Sequence, residues 1–232
     1  MGHQVKVTRA DRLLRAASDL FVRLGYEKTT VSDLTRAAGV SKGAFYLAFP
    51  SKDGLFEALL LREMRDYLAA AREALAVHPR AGSIGALYEV ALRGLEASPV
   101  MAVLLRRDRD VFGRYLRQPD NFFRKFGAGH QSRGEVLAQL QAVGVVRPDV
   151  DVDVAAHVMN LISVGWVTVD EVLDTPAPPA EEVIAGLAAM MERALGPTQP
   201  VDLAPARALV DRMYAEGIAG LNAMLAQAEG GP

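Results

Sequence analysis

Cysteine is absent from the 232 residues. That excludes disulfides, thiolate metal sites and a cysteine nucleophile, and it fits a reducing cytoplasm. Long apolar runs are also missing: Gly, Arg, Asp or Glu interrupts every stretch before it approaches about 18 residues, so no membrane span is expected. The start, Met1 to Lys6, has charge with no apolar stretch behind it and does not read as a secretory signal. His3, His78, His130 and His157 are scattered, with no i, i+4 pair to hold zinc. Gly127-Ala-Gly129 with Gly134 does not match the dinucleotide fingerprint and follows no strand pattern. No Walker sequence and no local Ser, His and Asp signature is present. The expectation is a protein without enzymatic activity, metal or cofactor.

Half of the chain is hydrophobic and 23% is charged, enough apolar content for a packed core and for one to two domains. The net charge of −2 argues against a surface coated in basic residues, but it conceals an asymmetry. Residues 1–60 hold nine Lys or Arg (Lys6, Arg9, Arg12, Arg15, Arg23, Lys28, Arg36, Lys42, Lys52) against six acids, a net of +3. The remaining 172 residues carry −5. A small basic head on a larger acidic body suggests two tasks, one of them on a polyanion.

The periodicity is helical almost throughout. Leu13, Ala17, Leu20, Phe21 and Leu24 form one stripe at 3.6 spacing, with Thr8 and Asp11 as a capping pair and Gly25 as a stop. A second helix starts at Thr30, again with an acid three residues on at Asp33, and ends at Gly39. The third starts at Ser41 and closes at Phe49 before Pro50. Ser51 caps a long fourth helix to about Val77. Further helices are expected at about 82–97, 99–117, 120–126, 130–143, 152–173, 179–195 and 203–228, broken by Pro and Gly. The fold class is all-α: a three-helix head at 1–51 and a larger helical body at 52–232.

Two short helices joined by Gly39-Val40 make a helix-turn-helix, whose second helix enters a DNA major groove. In Ser41-Lys42-Gly43-Ala44-Phe45-Tyr46-Leu47-Ala48-Phe49-Pro50-Ser51-Lys52, Phe45 and Phe49 share a face that would anchor the helix. Lys42 and Tyr46 share another and offer a cation and a phenol to phosphates. Gly43 and Ala44 are small enough for close approach to base edges. Thr30 and Ser51 stand at helix N-termini, where an anion is favoured, and Lys52 is a cation in a first turn, where one is not.

The text Arg12-Leu13-Leu14-Arg15-Ala16-Ala17, Leu20-Phe21, Gly25-Tyr26, Thr29-Thr30-Val31 and Asp33-Leu34 continues with Ala37-Ala38-Gly39-Val40-Ser41-Lys42-Gly43, Phe45-Tyr46, Phe49-Pro50-Ser51-Lys52 and Leu55. Over residues 8–56 it resembles the TetR family of bacterial transcriptional regulators. The resemblance implies a dimer, a three-helix DNA-binding head and a helical body with a ligand pocket. It implies DNA contact for Thr30, Ser41, Lys42, Gly43, Ala44, Tyr46 and Lys52. One departure matters: the positions after Tyr46, often polar or histidine in the family, are Leu47 and Ala48, which leaves the operator sequence open.

In the body, 152–173 is apolar around most of its circumference and is expected to meet its own core on one side and a partner on the other. With 179–195 it resembles the family's four-helix dimer interface, drawing on Val158, Ile162, Gly165, Val183, Leu187 and Met190. Large, adaptable residues that could line a ligand pocket are Met64, Tyr67, Met101, Phe112, Phe122, Phe126, Met159 and Trp166. The basic run Arg106, Arg107, Arg109, Arg114, Arg117, Arg124 and Lys125 reads as a solvated face paired with Asp108, Asp110 and Asp120, or as a site for an anion. The resulting expectation is a homodimeric, ligand-responsive repressor that binds double-stranded DNA, in the cytoplasm. The rival is a helical ligand-binding or scaffold protein whose head no longer binds DNA, for which Leu47 and Ala48 speak.

Overall fold

The computed structural model describes residues 8–98, 100–101, 115–117, 132–173 and 178–229. Nine α-helices and one 3-10 turn, and no strand, are found among these residues. They are α1 Arg9–Leu24, α2 Val31–Ala38, α3 Lys42–Ala48, α4 Lys52–Val77, α5 Ile84–Ala97, α6 Arg133–Ala142, α7 Val152–Val172, α8 Ala180–Leu195 and α9 Ala204–Glu229. The turn is Tyr115–Arg117. Most of the expected helices 99–117 and 120–126, with Phe112, Phe122, Phe126 and the basic run except Arg117, lies outside the described residues.

The described residues fall into two compact units. One holds α1 to α3, α4 as far as Arg65, the turn Tyr115–Arg117 and α9 from Ala219; the other holds the described residues from Asp66 to Met101 and from Ser132 to Ile218. The first unit thus extends past residue 51, and the reason is visible in its core. Leu55, Phe56, Ala58 and Leu60 on α4 are fully buried. Phe56 joins Phe21, Tyr26 and Tyr115 in an aromatic cluster with ring centroids 4.6–5.8 Å apart. Each such ring removed from water contributes roughly 1.5–3 kcal/mol, so a head ended at residue 51 would leave this surface open.

The local chemistry of the head follows the capping pattern. Thr8 and Asp11 form a capping box at α1, and Thr30 and Asp33 another at α2. Gly25 at φ 81° and Gly39 at φ 63° supply left-handed backbone where α1 and α2 stop. Thr29 is fully buried, and its Oγ1 donates to the Gly25 carbonyl at 2.8 Å, which satisfies the polar group inside the core.

In the second unit α5 packs against α8, and α6 against α7. Ile184, Ala188 and Met191 form the buried face of α8. Glu192 on the same helix accepts from the Gly85 backbone N–H at 2.8 Å and pairs with Arg80, tying the start of α5 to the end of α8. Ala155, Ala156, Met159 and Ser163 form the buried face of α7. Its other face leaves Val154, Val158, Leu161, Val164 and Val169 exposed. Val152–Val169 is the one stretch among the described residues long and apolar enough, by length and composition, to cross a membrane, with mean hydropathy 1.4. Its apolarity has a local cause: α7 is apolar on the face packed into its own unit and on the face turned outward.

Candidate nucleic-acid interface

The helix-turn-helix is built by α2, the turn Gly39-Val40-Ser41, and α3. Val40 N–H donates to Thr35 O at 3.0 Å and Ser41 Oγ accepts from Ala44 N at 3.1 Å, which fixes how the chain enters α3. Phe45 and Phe49 are both fully buried, one turn apart, as their spacing predicts. Their burial dictates what the helix presents outward. Ser41, Lys42, Gly43, Tyr46 and Leu47 are exposed and Ala44 is half-buried. Tyr46 stacks edge-on against Phe45 with centroids 5.2 Å apart, so its phenol is held on the outer face while the ring stays 57% exposed. Lys42 has no ion pair among the described residues, which leaves its ammonium for a phosphate.

An open groove of about 510 Å³ runs between α1 and α3, lined by Arg9, Arg12, Gly39, Val40, Ser41, Gly43, Ala44 and Leu47. It places two guanidiniums beside the small residues of α3. Sequence reasoning counted Arg9 and Arg12 in the net charge but did not assign them to the interface. Their signal was positional: both lie on the exposed side of α1, opposite Leu13, Leu14 and Ala17. A second groove along α1 is lined by Arg12, Arg15, Asp19 and Arg23 with Ala37 and Ala38 of α2. The cations of α1 therefore flank the turn of the motif rather than spreading around the head.

Two residues named from the sequence are engaged differently. Lys52 Nζ donates to Tyr26 O at 2.7 Å and Thr29 O at 3.0 Å and sits 4.0 Å from the centroid of the Tyr26 ring. Its cation caps two carbonyls of the loop between α1 and α2, which explains how a lysine is tolerated in the first turn of α4. Thr30 is exposed, but Asp33 Oδ2 accepts from both its N–H, at 3.1 Å, and its hydroxyl, at 2.6 Å. These bonds hold the Asp33 carboxyl below its ordinary pKa, so a negative charge already stands at the N-terminus of α2. Leu47 is 81% exposed, and Ala48 is half-buried.

Met101 and Met159 are buried, and Trp166 and Met64 are half-buried. Tyr67 donates its hydroxyl to Ala91 O at 3.2 Å, and its ring lies so close to Gly94 that a Cβ there would approach within 2.5 Å. At the expected dimer face, Val158 and Met190 are exposed at 43% and 53%, while Ile162, Gly165, Val183 and Leu187 are half-buried. Val154, Leu161, Val164 and Val169, not named from the sequence, extend the same exposed face.

A helix-turn-helix with an anchored, small-residue recognition helix and flanking cations defines a DNA-binding regulator. Residues 13–59 match the family model for bacterial regulatory proteins of the tetR family. The chain is 40% identical over 72 positions to the transcriptional regulator TtgR of Pseudomonas putida, a match covering 30% of this chain and 34% of that protein. The chain thus spans about a third of that relative. A longer match, 32% identical over 163 residues, covers 66% of this chain and 78% of the transcriptional repressor Rv1474c of Mycobacterium tuberculosis. Among solved structures, the ketosteroid transcriptional regulator KstR2 of Mycobacterium tuberculosis shares the fold, with a TM-score of 0.56, 24% identity, and coverage of 82% of this chain and 96% of that one. The chain belongs to the TetR family.

Proposed function

We propose that the protein is a homodimeric repressor whose two α3 helices enter successive major grooves of a near-palindromic operator, and which a small molecule in the body releases. The observation that supports this most directly is the division of labour on α3. Phe45 and Phe49 are fully buried, while Lys42, Gly43, Tyr46 and Leu47 face outward beside Arg9 and Arg12. In this reading Lys42, Tyr46, Ser41 and the α1 arginines hold phosphates, and Gly43, Ala44 and Leu47 face base edges. An exposed leucine there suits a thymine methyl group. Thr30 and Lys52 act by shaping the head.

Dimerisation is supported by the unpartnered apolar face of α7, which recurs at Val154, Val158, Leu161 and Val164, and by Met190 on α8. Gly165 and Gly186 have open space where a Cβ would point, so a second helix could approach closely. Two heads spaced about one helical turn, roughly 34 Å, would read the two half-sites. Release then follows from linkage: a ligand weakens DNA binding by the factor by which DNA weakens ligand binding. A DNA-binding regulator of this kind works in the cytoplasm and needs no catalytic group. Among the described residues no cluster of three or more His, Asp or Glu could hold a metal ion.

A gel shift of the full chain with DNA flanking its own gene tests the proposal. Retention of one fragment in excess of scrambled competitor supports it. Retention of none would favour the rival reading, a helical body whose head has lost DNA binding.

A further inference from the structure

Four arginines of the second unit are paired with carboxylates, while Arg193, Arg207 and Arg212 are exposed to water without an ion pair among the described residues. Arg72 meets Asp211, Arg80 meets Glu192, Arg93 meets both Glu89 and Glu181, and Arg147 meets Asp149. Arg133 differs. It is half-buried at the first position of α6, and among the described residues no carboxylate pairs with it. Its one hydrogen bond is from Nη1 to Ser163 Oγ at 3.3 Å, and that hydroxyl itself donates to Met159 O at 2.8 Å. Burial draws the guanidinium below its ordinary pKa, and the groups that oppose this are the phenols of Tyr88 and Tyr67. Tyr88 donates to Met159 O at 3.4 Å and Tyr67 to Ala91 O at 3.2 Å, so both hydroxyls are anchored close to the cation's surroundings. On its own helix Glu135 closes the α6 capping box; Asp153 of α7 lies against Gly134, exposed, and makes no ion pair with Arg133.

A cation in this position is disfavoured twice, by partial removal from water and by the positive end of the α6 dipole. A guanidinium offers five donors in a fork that fits a carboxylate with two parallel bonds, and only one donor is used here. We propose that Arg133 is the anchor of the effector site and that the effector is an organic acid, with its carboxylate on the Arg133 fork and Ser163 and its apolar body against Tyr67, Tyr88 and Met159. This rests on the ligand-release reading above and narrows it to one chemical class. None of Arg133, Ser163 or Tyr88 stood out in the sequence.

Two measurements on the full chain test it. In the ligand-free protein, Arg133→Met is expected to raise Tm by about 2–4 °C, because it removes a cation that lacks its counter-charge. A lower Tm would make Arg133 a structural residue and overturn the inference. The second titrates octanoate and 3-phenylpropanoate, each beside its methyl ester and its alcohol, following Tm and the fluorescence of Trp166, the only tryptophan, one turn beyond Ser163 on α7. Acids are expected to bind at least about tenfold more tightly than esters or alcohols, and Arg133→Gln to abolish that difference. Equal binding of acids and esters would overturn the acid assignment while leaving a ligand site in the body. No binding by either class would count against the ligand-release reading as well.

Discussion

Lys52 and Lys42 are ten residues apart in one motif, and the structure gives them separate tasks. Lys42 projects from α3 without an ion pair among the described residues, whereas Lys52 holds the carbonyls of Tyr26 and Thr29 from the start of α4. Lys52→Met should therefore destabilise the head by about 1–3 kcal/mol, since two buried-side acceptors lose a charged donor. Chemical denaturation checks this, and a melting curve unchanged from wild type would return Lys52 to the phosphate contacts. The sequence made the two lysines look alike because spacing reports which face a residue occupies and not which carbonyls a flexible side chain can reach. Arg9 and Arg12 were missed for the complementary reason: a long cation on a solvated helix face looks ordinary until the fold sets α3 beside it.

Helix starts and stops were the most legible feature, because the caps are written locally. The pairs Thr8 with Asp11 and Thr30 with Asp33, and the stops Gly25 and Gly39, all stand where the structure has them. Thr30→Ala is expected to cost about 1 kcal/mol of head stability in denaturant melts. Asp11 and Asp33 are both held below the ordinary carboxylate range in the folded head, Asp11 chiefly through the Thr8 backbone N–H and Asp33 chiefly through the Thr30 hydroxyl. A depressed folded pKa contributes stability that is complete above the unfolded value and is lost as pH falls through the folded one. The head should thus keep its full stability down to about pH 4 and lose these contributions below it, and Thr30→Ala should flatten that acid slope. An acid slope unaltered by the substitution would contradict the account. Contacts across the body were not legible in the same way. Gly94 reads as an ordinary helical glycine, yet the Tyr67 ring fills the place of its side chain. Gly94→Ala should destabilise by about 1–3 kcal/mol through overpacking, measured as a lower Tm.

For the whole molecule, the apolar pattern of 152–173 carried the expectation of two buried faces; the structure shows one of them packed and the other exposed in the single chain. The inner face is built by Ala155, Ala156, Met159 and Ser163, and the outer one remains open in the single chain. Val158→Arg places a charge on that outer face, and Met190→Glu one at an exposed position of α8, without touching the inner face of α7. Sedimentation should then report a folded monomer where the wild type is a dimer, with far-UV circular dichroism unchanged; an unaltered dimer would move the interface to another surface. The ligand chemistry proposed for the body was the least legible part, because it rests on how Arg133 is paired among the described residues once the helices have packed.

The central claim is that α3 reads DNA through the face opposite Phe45 and Phe49. The most direct test is the salt dependence of operator affinity for the wild type and for Lys42→Ala, measured by fluorescence anisotropy between about 50 and 200 mM salt. A dimer loses one phosphate contact per head, so the slope of log affinity against log salt should fall by about 1 per protomer, with Tm and oligomeric state unchanged. Equal affinities and parallel slopes for the two proteins would remove Lys42 from the contacts to DNA and contradict the account.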